Sequence, residues 1–272
     1  MIDDLAHDLD ALDRATGPTS ALSNAVRPLK ERAVVAIGLA DITGIWTQEK
    51  VGAALSELAE RILDAGLGWF VRLAFRHGEF TAQEDAAPVP LPGLFVLGGG
   101  AIAANDMSYC GPLEVALVYD PEILAAQKVT ASDRAIFRIA SELADAFGAL
   151  NKDGTLFEIR HQGIAMAKAT KTASDTAFAL SVPDMRAFLN GDASPEDRAW
   201  FATTRVVAGD RKGGTAFAEE LSQLLWHKGF KASDIRIAVS GEASGKDAPH
   251  RDPHRKLVDT CQLALGQQHD EF

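Results

Sequence analysis

Apolar positions along the chain predict helices at both ends and a short run of strands between them. Thr47 is a good helix start, because its hydroxyl can accept a hydrogen bond from a free N–H group of the first turn. From there, five apolar residues recur at helical spacing and predict a helix to about Phe75 with one buried face: Val51, Leu55, Leu58, Ile62 and Leu63. Residues 3–14 and 22–39 are also helix-compatible, with Pro28 at a start or a kink.

The pattern changes to strands between residues 94 and 120. Leu94–Leu97 is a continuous apolar run, typical of a buried strand, and Gly98-Gly99-Gly100 follows at once. Three adjacent glycines can take positive φ and bring backbone N–H groups close to an anion. A tight turn after a buried strand explains the same glycines equally well. A second strand ends at Asp120, and the carboxylate of Glu114 lies near its start.

Beyond residue 120 the pattern predicts a helix from about residue 133 to Leu150 and a short third strand, Leu156–Ile159. From residue 174 onward it is helical, with candidate helices at 174–189, 194–204, 214–228 and 233–240. Strands that share a region with a packed helix indicate an α/β (α+β) fold. The loop 78–92 is acidic and then rich in proline, which predicts a domain boundary. We expect three parts: helical residues 1–90, an α/β core at 91–165 and a helical region with a polar tail at 166–272.

Composition narrows the function classes. The net charge of −11 disfavours a general nucleic-acid surface and docking on anionic lipid. The two cysteines are far apart and lack metal-ligand spacing, which favours a reducing, cytoplasmic location. No stretch reaches the roughly 18 apolar residues of a membrane span. The tail carries His250, Asp252, His254 and His269, but a proline interrupts the group and we expect no metal site there.

Several separated segments, in the right order, resemble the nucleotidyltransferase domain of the bacterial glutamine synthetase adenylyltransferases. The segments that carry the resemblance are Ala40–Trp46, Leu97-Gly98-Gly99-Gly100-Ala101-Ile102-Ala103, Ser108-Tyr109, Leu117-Val118-Tyr119-Asp120, Asp153–Glu158 and Arg205-Val206-Val207-Ala208-Gly209-Asp210. Together they cover about residues 34–210. The resemblance implies a nucleotidyltransferase-like small mixed sheet, with helices before and after it. The family proteins have two tandem halves, so this chain corresponds to part of one half.

The resemblance also implies a metal site, and this sequence departs from it. The family holds its divalent metals with three aspartates, two on one strand as Asp-x-Asp and the third on a neighbouring strand. Carried over by position, these fall on Pro112, Glu114 and Arg160, and the turn lysine falls on Ala101. Three carboxylates become one carboxylate and one guanidinium, with a net charge of zero. Mg²⁺ takes oxygen ligands and gives up its water reluctantly, so we expect no metal site here.

We expect Arg160 to form an ion pair with Glu114 across the cleft, in the space that the metals left, with Glu158 as a second candidate partner. A guanidinium that simply faces solvent at the strand end is the alternative. Gly98, Gly99 and Gly100 remain a candidate anion or phosphate cradle, which Lys128, Lys152 or Arg160 could assist.

The sequence therefore predicts a nucleotidyltransferase-like protein without activity, with no catalytic residues and no cofactor, that works as a binding or regulatory module. Resemblance implies a protein partner, glutamine synthetase or another nitrogen-regulation protein. An active adenylyltransferase with a rearranged site, using Mg²⁺ and ATP, is the alternative. A remnant catalytic half that assembles with another chain is a third reading, and the sequence does not indicate an oligomeric state.

Overall fold

The computed structural model describes residues 17–82, 89–148, 154–161, 179–191 and 193–227. The helices in these ranges are α1 Thr19–Ile42, α2 Gln48–Arg76, α3 Gly100–Ala103, α4 Pro121–Ala126, α5 Asp133–Gly148, α6 Val182–Asn190, α7 Pro195–Ala202 and α8 Arg211–His227. The strands are β1 Phe80–Ala82, β2 Leu94–Gly98, β3 Leu113–Tyr119, β4 Val129–Ala131, β5 Ile159–His161, β6 Ala179–Ser181 and β7 Arg205–Gly209. The predicted mixed α/β fold is confirmed. Among the described residues, no helix is long and apolar enough to cross a membrane.

A five-stranded sheet holds the glycine turn. Its order is β5-β3-β2-β7, and β6 lies beside the later half of β3. The pairs β2–β3 and β2–β7 are antiparallel, whereas β5 and β6 both run parallel to β3. A separate two-stranded sheet pairs β1 with β4. The strand that leads into the glycines therefore lies between β3 and β7, and all five of its residues are buried.

Alternate residues of the central strands feed two hydrophobic cores, as the strand period of two requires. Leu94 and Val96 of β2 belong to the core shared with α1, α2 and α5. Phe95 and Leu97 belong to the core on the other face, where α6, α7 and α8 pack. Helices thus cover both faces, and residues of β3 that alternate with Leu113, including Glu114, lie on the α6–α8 face.

The two long helices match the sequence pattern closely. The Thr47 hydroxyl accepts a hydrogen bond from the Lys50 N–H at 3.4 Å, which caps α2 at the predicted residue. All five apolar residues predicted for the inner face of α2 are buried. The helix predicted at 22–39 extends from Thr19 to Ile42 and contains Pro28 in its interior.

The strand predicted at Leu156–Ile159 begins three residues later, at Ile159. The N–H groups of Leu156 and Phe157 instead donate to the Phe147 carbonyl at 3.0 Å, so they are taken by the end of α5. These two residues therefore pack under α5 rather than pair with β3.

The all-helical prediction for the C-terminal region was wrong at two described places. Residues 179–181 form β6, and Ser181 caps the helix that follows by accepting from the Asp184 N–H. Residues 205–209 form β7, which contains two apolar β-branched residues and pairs with β2. The predicted segments 3–14 and 233–240 and the histidine-bearing tail lie outside the described residues, and the three-part division of the chain remains a prediction.

Candidate functional site

The three glycines allow close approaches on both sides of the turn. Gly98 ends β2, and a Cβ atom there would lie 2.6 Å from the Val207 side chain of β7. Gly99 precedes α3, and its N–H donates to the Glu114 carbonyl at 2.9 Å. Gly100 has φ +56°, in the left-handed region that favours glycine. The turn therefore depends on glycine for its packing and its backbone.

An indole ring from the C-terminal region lies directly on this turn. A Cβ atom on Gly99 would be 2.2 Å from the Trp200 ring, so only a glycine leaves room for the indole. The Trp200 Nε1–H donates to Glu114 Oε2 at 2.9 Å, and the ring meets Phe201 edge to face at 4.9 Å between centroids. The space against the glycine turn is occupied by protein.

Helix α7 carries Trp200, and its start is well defined. Ser194 and Asp197 form a capping box, in which each side chain accepts from the other residue's N–H. Pro195 occupies the first turn, where its missing N–H costs nothing. These local signals fix where α7 begins. Trp200 follows about one and a half helical turns into α7, and its indole lies on the glycine turn.

The Glu114 carboxylate lies between the indole and the turn. Its oxygens are 2.8 and 3.4 Å from the position of a Cβ atom on Gly100. Glu114 is half-buried on β3. A bound phosphate at this turn would therefore meet a carboxylate as well as backbone N–H groups. The anion cradle at Gly98–Gly100 remains a prediction, and the negative charge of Glu114 disfavours it.

Arg160 is beside Glu114 in the sheet but does not pair with it. The two residues are register partners on the parallel strands β3 and β5. The Arg160 Nε instead lies 3.2 Å from Glu158 Oε1, and the two side chains are 51% and 60% exposed. Of the two predicted partners, Arg160 pairs with Glu158 and not with Glu114, because the Glu114 carboxylate is turned toward Gly100 and Trp200.

Other carboxylates near the turn have structural contacts. Asp120 caps α4 by accepting from the N–H groups of Glu122 and Ile123 at 2.9 and 3.2 Å. Asp106 packs against Gly52 of α2, where a Cβ atom would lie 2.9 Å from its Oδ1. Lys128 precedes β4 in the separate two-stranded sheet, whereas Lys152 and Asp153 lie outside the described residues. Within the described ranges, no group of three or more His, Cys, Asp or Glu side chains is arranged to hold a metal ion.

Arg205 and Asp210 hold β7 in place. The Arg205 guanidinium donates to the carbonyls of Ile102 and Ala103 at 2.7 and 3.0 Å, to Asn105 Oδ1 and to Glu60 of α2. The Asp210 carboxylate accepts from the N–H groups of Gly93 and Gly213, both at 2.9 Å. The first set ties β7 to α2 and α3, and the second ties the end of β7 to the start of β2.

Sequence reasoning singled out the glycines, Glu114 and Arg160 as candidates, but it did not single out Trp200. The helix that carries Trp200 was predicted, whereas nothing in the local pattern shows that its indole meets a turn 100 residues earlier. Arg205 belongs to a family-like segment, and its contacts likewise depend on tertiary structure.

The model of the family "Glutamate-ammonia ligase adenylyltransferase" matches residues 2–219. Three relatives carry the name "Bifunctional glutamine synthetase adenylyltransferase/adenylyl-removing enzyme". The protein of Bradyrhizobium sp. (strain BTAi1) is 27% identical over 75% of this chain and 20% of its own length. That of Caulobacter vibrioides is 27% identical over 77% and 21%, and that of Xanthobacter autotrophicus is 26% identical over 81% and 22%. The chain therefore spans about a fifth of the length of these relatives. Since the family model covers most of its residues, the chain belongs to the glutamate-ammonia ligase adenylyltransferase family.

Proposed function

We propose that this chain is a catalytically inactive member of its family that works as a binding or regulatory module. One observation carries the proposal. The Trp200 indole packs on Gly99 and donates to Glu114, so it uses both the turn and the one carboxylate that the resemblance places at a metal position. A nucleotide phosphate or a metal ion would have to displace this ring.

The charges at the three corresponding positions support the same conclusion. Pro112 has no ligand atom, Glu114 accepts from an indole, and Arg160 is a cation whose partner is Glu158. A guanidinium within about 5 Å of Mg²⁺ adds several kcal/mol of repulsion even at an effective dielectric of about 20. One carboxylate in these surroundings is a poor Mg²⁺ site. The proposal therefore includes no cofactor, and Mg²⁺ and ATP belong to the alternative of an active enzyme.

The partner in this proposal is a protein of nitrogen metabolism. The names of the relatives describe enzymes that adenylylate glutamine synthetase. A chain that keeps part of their fold without the metal carboxylates can keep a binding surface while it loses the reaction. Glutamine synthetase is the first partner to test, in the cytoplasm that the two scattered cysteines favour.

Transfer of labelled AMP from ATP to glutamine synthetase tests the inactivity. We expect no Mg²⁺-dependent label with this chain, under conditions in which the Caulobacter vibrioides relative labels the same substrate. Metal-dependent labelling that disappears in Glu114→Gln would overturn the proposal. Glu158→Gln is the matched control. It also removes a nearby carboxylate, but the Glu158 side chain pairs with Arg160 rather than with Gly100 or Trp200.

Binding to glutamine synthetase is measured separately, without ATP. Sedimentation velocity of the fluorescently labelled chain with purified glutamine synthetase is expected to show a faster boundary. A boundary that stays at the position of the free chain would contradict glutamine synthetase as the partner, whatever the labelling result.

A further inference from the structure

Exposed apolar side chains are concentrated at one end of the molecule. Val35, Leu39, Ile42 and Ile45 are 63%, 60%, 87% and 75% exposed, and we call these four residues the α1 patch. Among the described residues only two other large apolar or aromatic side chains are exposed, and one of them, Tyr109, is at the same end, since its hydroxyl donates to Asp41 Oδ2 at 2.9 Å. Single exposed apolar residues are ordinary, whereas a contiguous group marks an interaction site.

The later half of α1 is apolar on two opposite faces. Ala33 and Ile37 are buried against the molecule's own core, and Val35 and Leu39 point away from it. Between residues 33 and 42 the only charged residue is Asp41. A helix that is apolar all round is normally covered on both sides. The inner side is covered here, and the α1 patch is the uncovered side.

We propose that the α1 patch joins two copies of this chain in an antiparallel dimer. Its helical members are spaced four and then three residues apart, as in the seam between two packed helices. An antiparallel crossing places Leu39 against Ile42 of the second copy, and Val35 against the turn that carries Ile45. Small residues flank this seam at Ala36, Gly38 and Ala40, which lets two helices approach to about 8 Å.

Charges at the two ends of the patch fit the same arrangement. Glu31 is exposed before the patch, and Lys50 is exposed after it, with its Nζ 4.7 Å from the centre of the Trp46 ring. An antiparallel arrangement brings the early end of one copy next to the late end of the other. Each Glu31 then faces Lys50 of the second copy, an attraction that an antiparallel pair makes twice.

The size of the patch indicates a weak dimer. Four side chains per copy bury less than the roughly 800 Å² per partner of a standard interface. We therefore expect a dissociation constant of about 10–100 µM, in the range of transient complexes.

Sedimentation equilibrium of the full chain from about 2 to 200 µM tests this proposal. The average mass is expected to rise with concentration toward twice the monomer mass. Leu39→Glu should raise the dissociation constant by about tenfold or more, because it places a charge in the seam twice per dimer. Val89→Glu is the matched control, since Val89 is an exposed apolar residue outside the patch, and it should leave the association unchanged.

Charge reversal tests the antiparallel arrangement. Glu31→Lys and Lys50→Glu should each weaken the dimer, and the double variant should restore it, because the facing pair again has opposite charges. Circular dichroism and thermal melting establish that each variant is folded. If Leu39→Glu does not fold, Ile42→Glu replaces it, at a side chain that is 87% exposed. A monomer at 200 µM, or a dimer that the folded patch variant leaves unchanged, would overturn the proposal.

Discussion

Arg205 lies in a segment that resembles the family and Arg160 lies two residues after another, yet their surroundings differ sharply. Arg205 donates to four acceptors on α2, on α3 and in the residues just after α3, and its side chain is 31% exposed. Within the described residues Arg160 pairs with Glu158, and both side chains are more than half exposed. The first arginine joins three parts of the fold, and the second joins two residues of one segment.

This difference separates residues that hold the fold together from residues at positions that the resemblance assigns to a metal site. The family-like residues that remain, among them Arg205, Asp210 and the glycines, hold strands and helices together. Among the described residues, Pro112 and Arg160, which the resemblance places at metal positions, make no comparable network. Under the proposed function, a substitution at such a position costs little stability, because its side chain supports few other contacts.

Arg205→Ala should produce the largest effect. The change leaves two carbonyls of α3 without their donor and removes one of the two arginines that pair with the Glu60 carboxylate, which is only 15% exposed. We expect the free energy of unfolding to fall by about 3 kcal/mol, measured by urea denaturation. Arg205→Lys keeps the charge but has fewer donors, so its free energy of unfolding should lie between those of the wild type and Arg205→Ala. A loss below about 1 kcal/mol for Arg205→Ala would contradict the account of this network.

Trp200→Ala should have the next largest effect. It removes the indole from Gly99 and the donor from Glu114 while leaving α7 intact, and it should cost about 2 kcal/mol because the ring is only partly buried. Trp200→Phe keeps most of the ring and should cost about half as much. If Trp200→Ala is as stable as the wild type, the ring does not hold α7 against the turn, and the central observation of the proposed function loses its support.

Tyr119→Phe should have a smaller effect, because it removes a single buried hydroxyl. Burial, and then the hydrogen bond that the hydroxyl donates to Asp133 Oδ1 at 2.8 Å, raise the pKa of Tyr119 above its usual value. The contribution of the Tyr119 hydroxyl to the free energy of unfolding is therefore complete below the unfolded-state pKa of about 10. It is lost as the pH rises above that value, because only the unfolded state then releases the proton. Tyr119→Phe should cost about 1 kcal/mol at pH 8, and the difference from wild type should shrink between about pH 10 and 12.

Tyr109→Phe provides the matched control for this pH dependence. The Tyr109 hydroxyl also donates to an aspartate, but the side chain is 39% exposed. Urea denaturation at a series of pH values should therefore show a smaller difference for Tyr109→Phe. A difference for Tyr119→Phe that stays constant up to pH 12 would contradict the assignment.

Arg160→Ala should have the smallest effect. Exposed ion pairs contribute at most about 1 kcal/mol, so we expect a change below about 0.5 kcal/mol in the free energy of unfolding. A cost comparable to that of Arg205→Ala would show that Arg160 has a structural role that its contact with Glu158 does not explain.

Local patterns predicted the long helices α1, α2 and α5 and the central strands β2 and β3, because their signals lie within a few residues. Thr47 and the apolar spacing of α2 required no knowledge of the rest of the fold. Trp200 could not be placed in this way, since its contact with Gly99 depends on α7 packing across the sheet. Arg160 pairs with Glu158, two residues away, because Trp200 donates to the Glu114 carboxylate. The local sequence does not show that Trp200 lies near Glu114.

Isothermal titration calorimetry of the full chain with ATP, with and without Mg²⁺, measures whether the site around Glu114 still binds a metal-bound nucleotide. The retained turn and the occupied site predict no Mg²⁺-dependent heat of ATP binding. A Mg²⁺-dependent binding isotherm that is lost in Glu114→Gln and kept in Glu158→Gln would contradict it, because Glu114 would then serve a metal ion rather than the Trp200 indole.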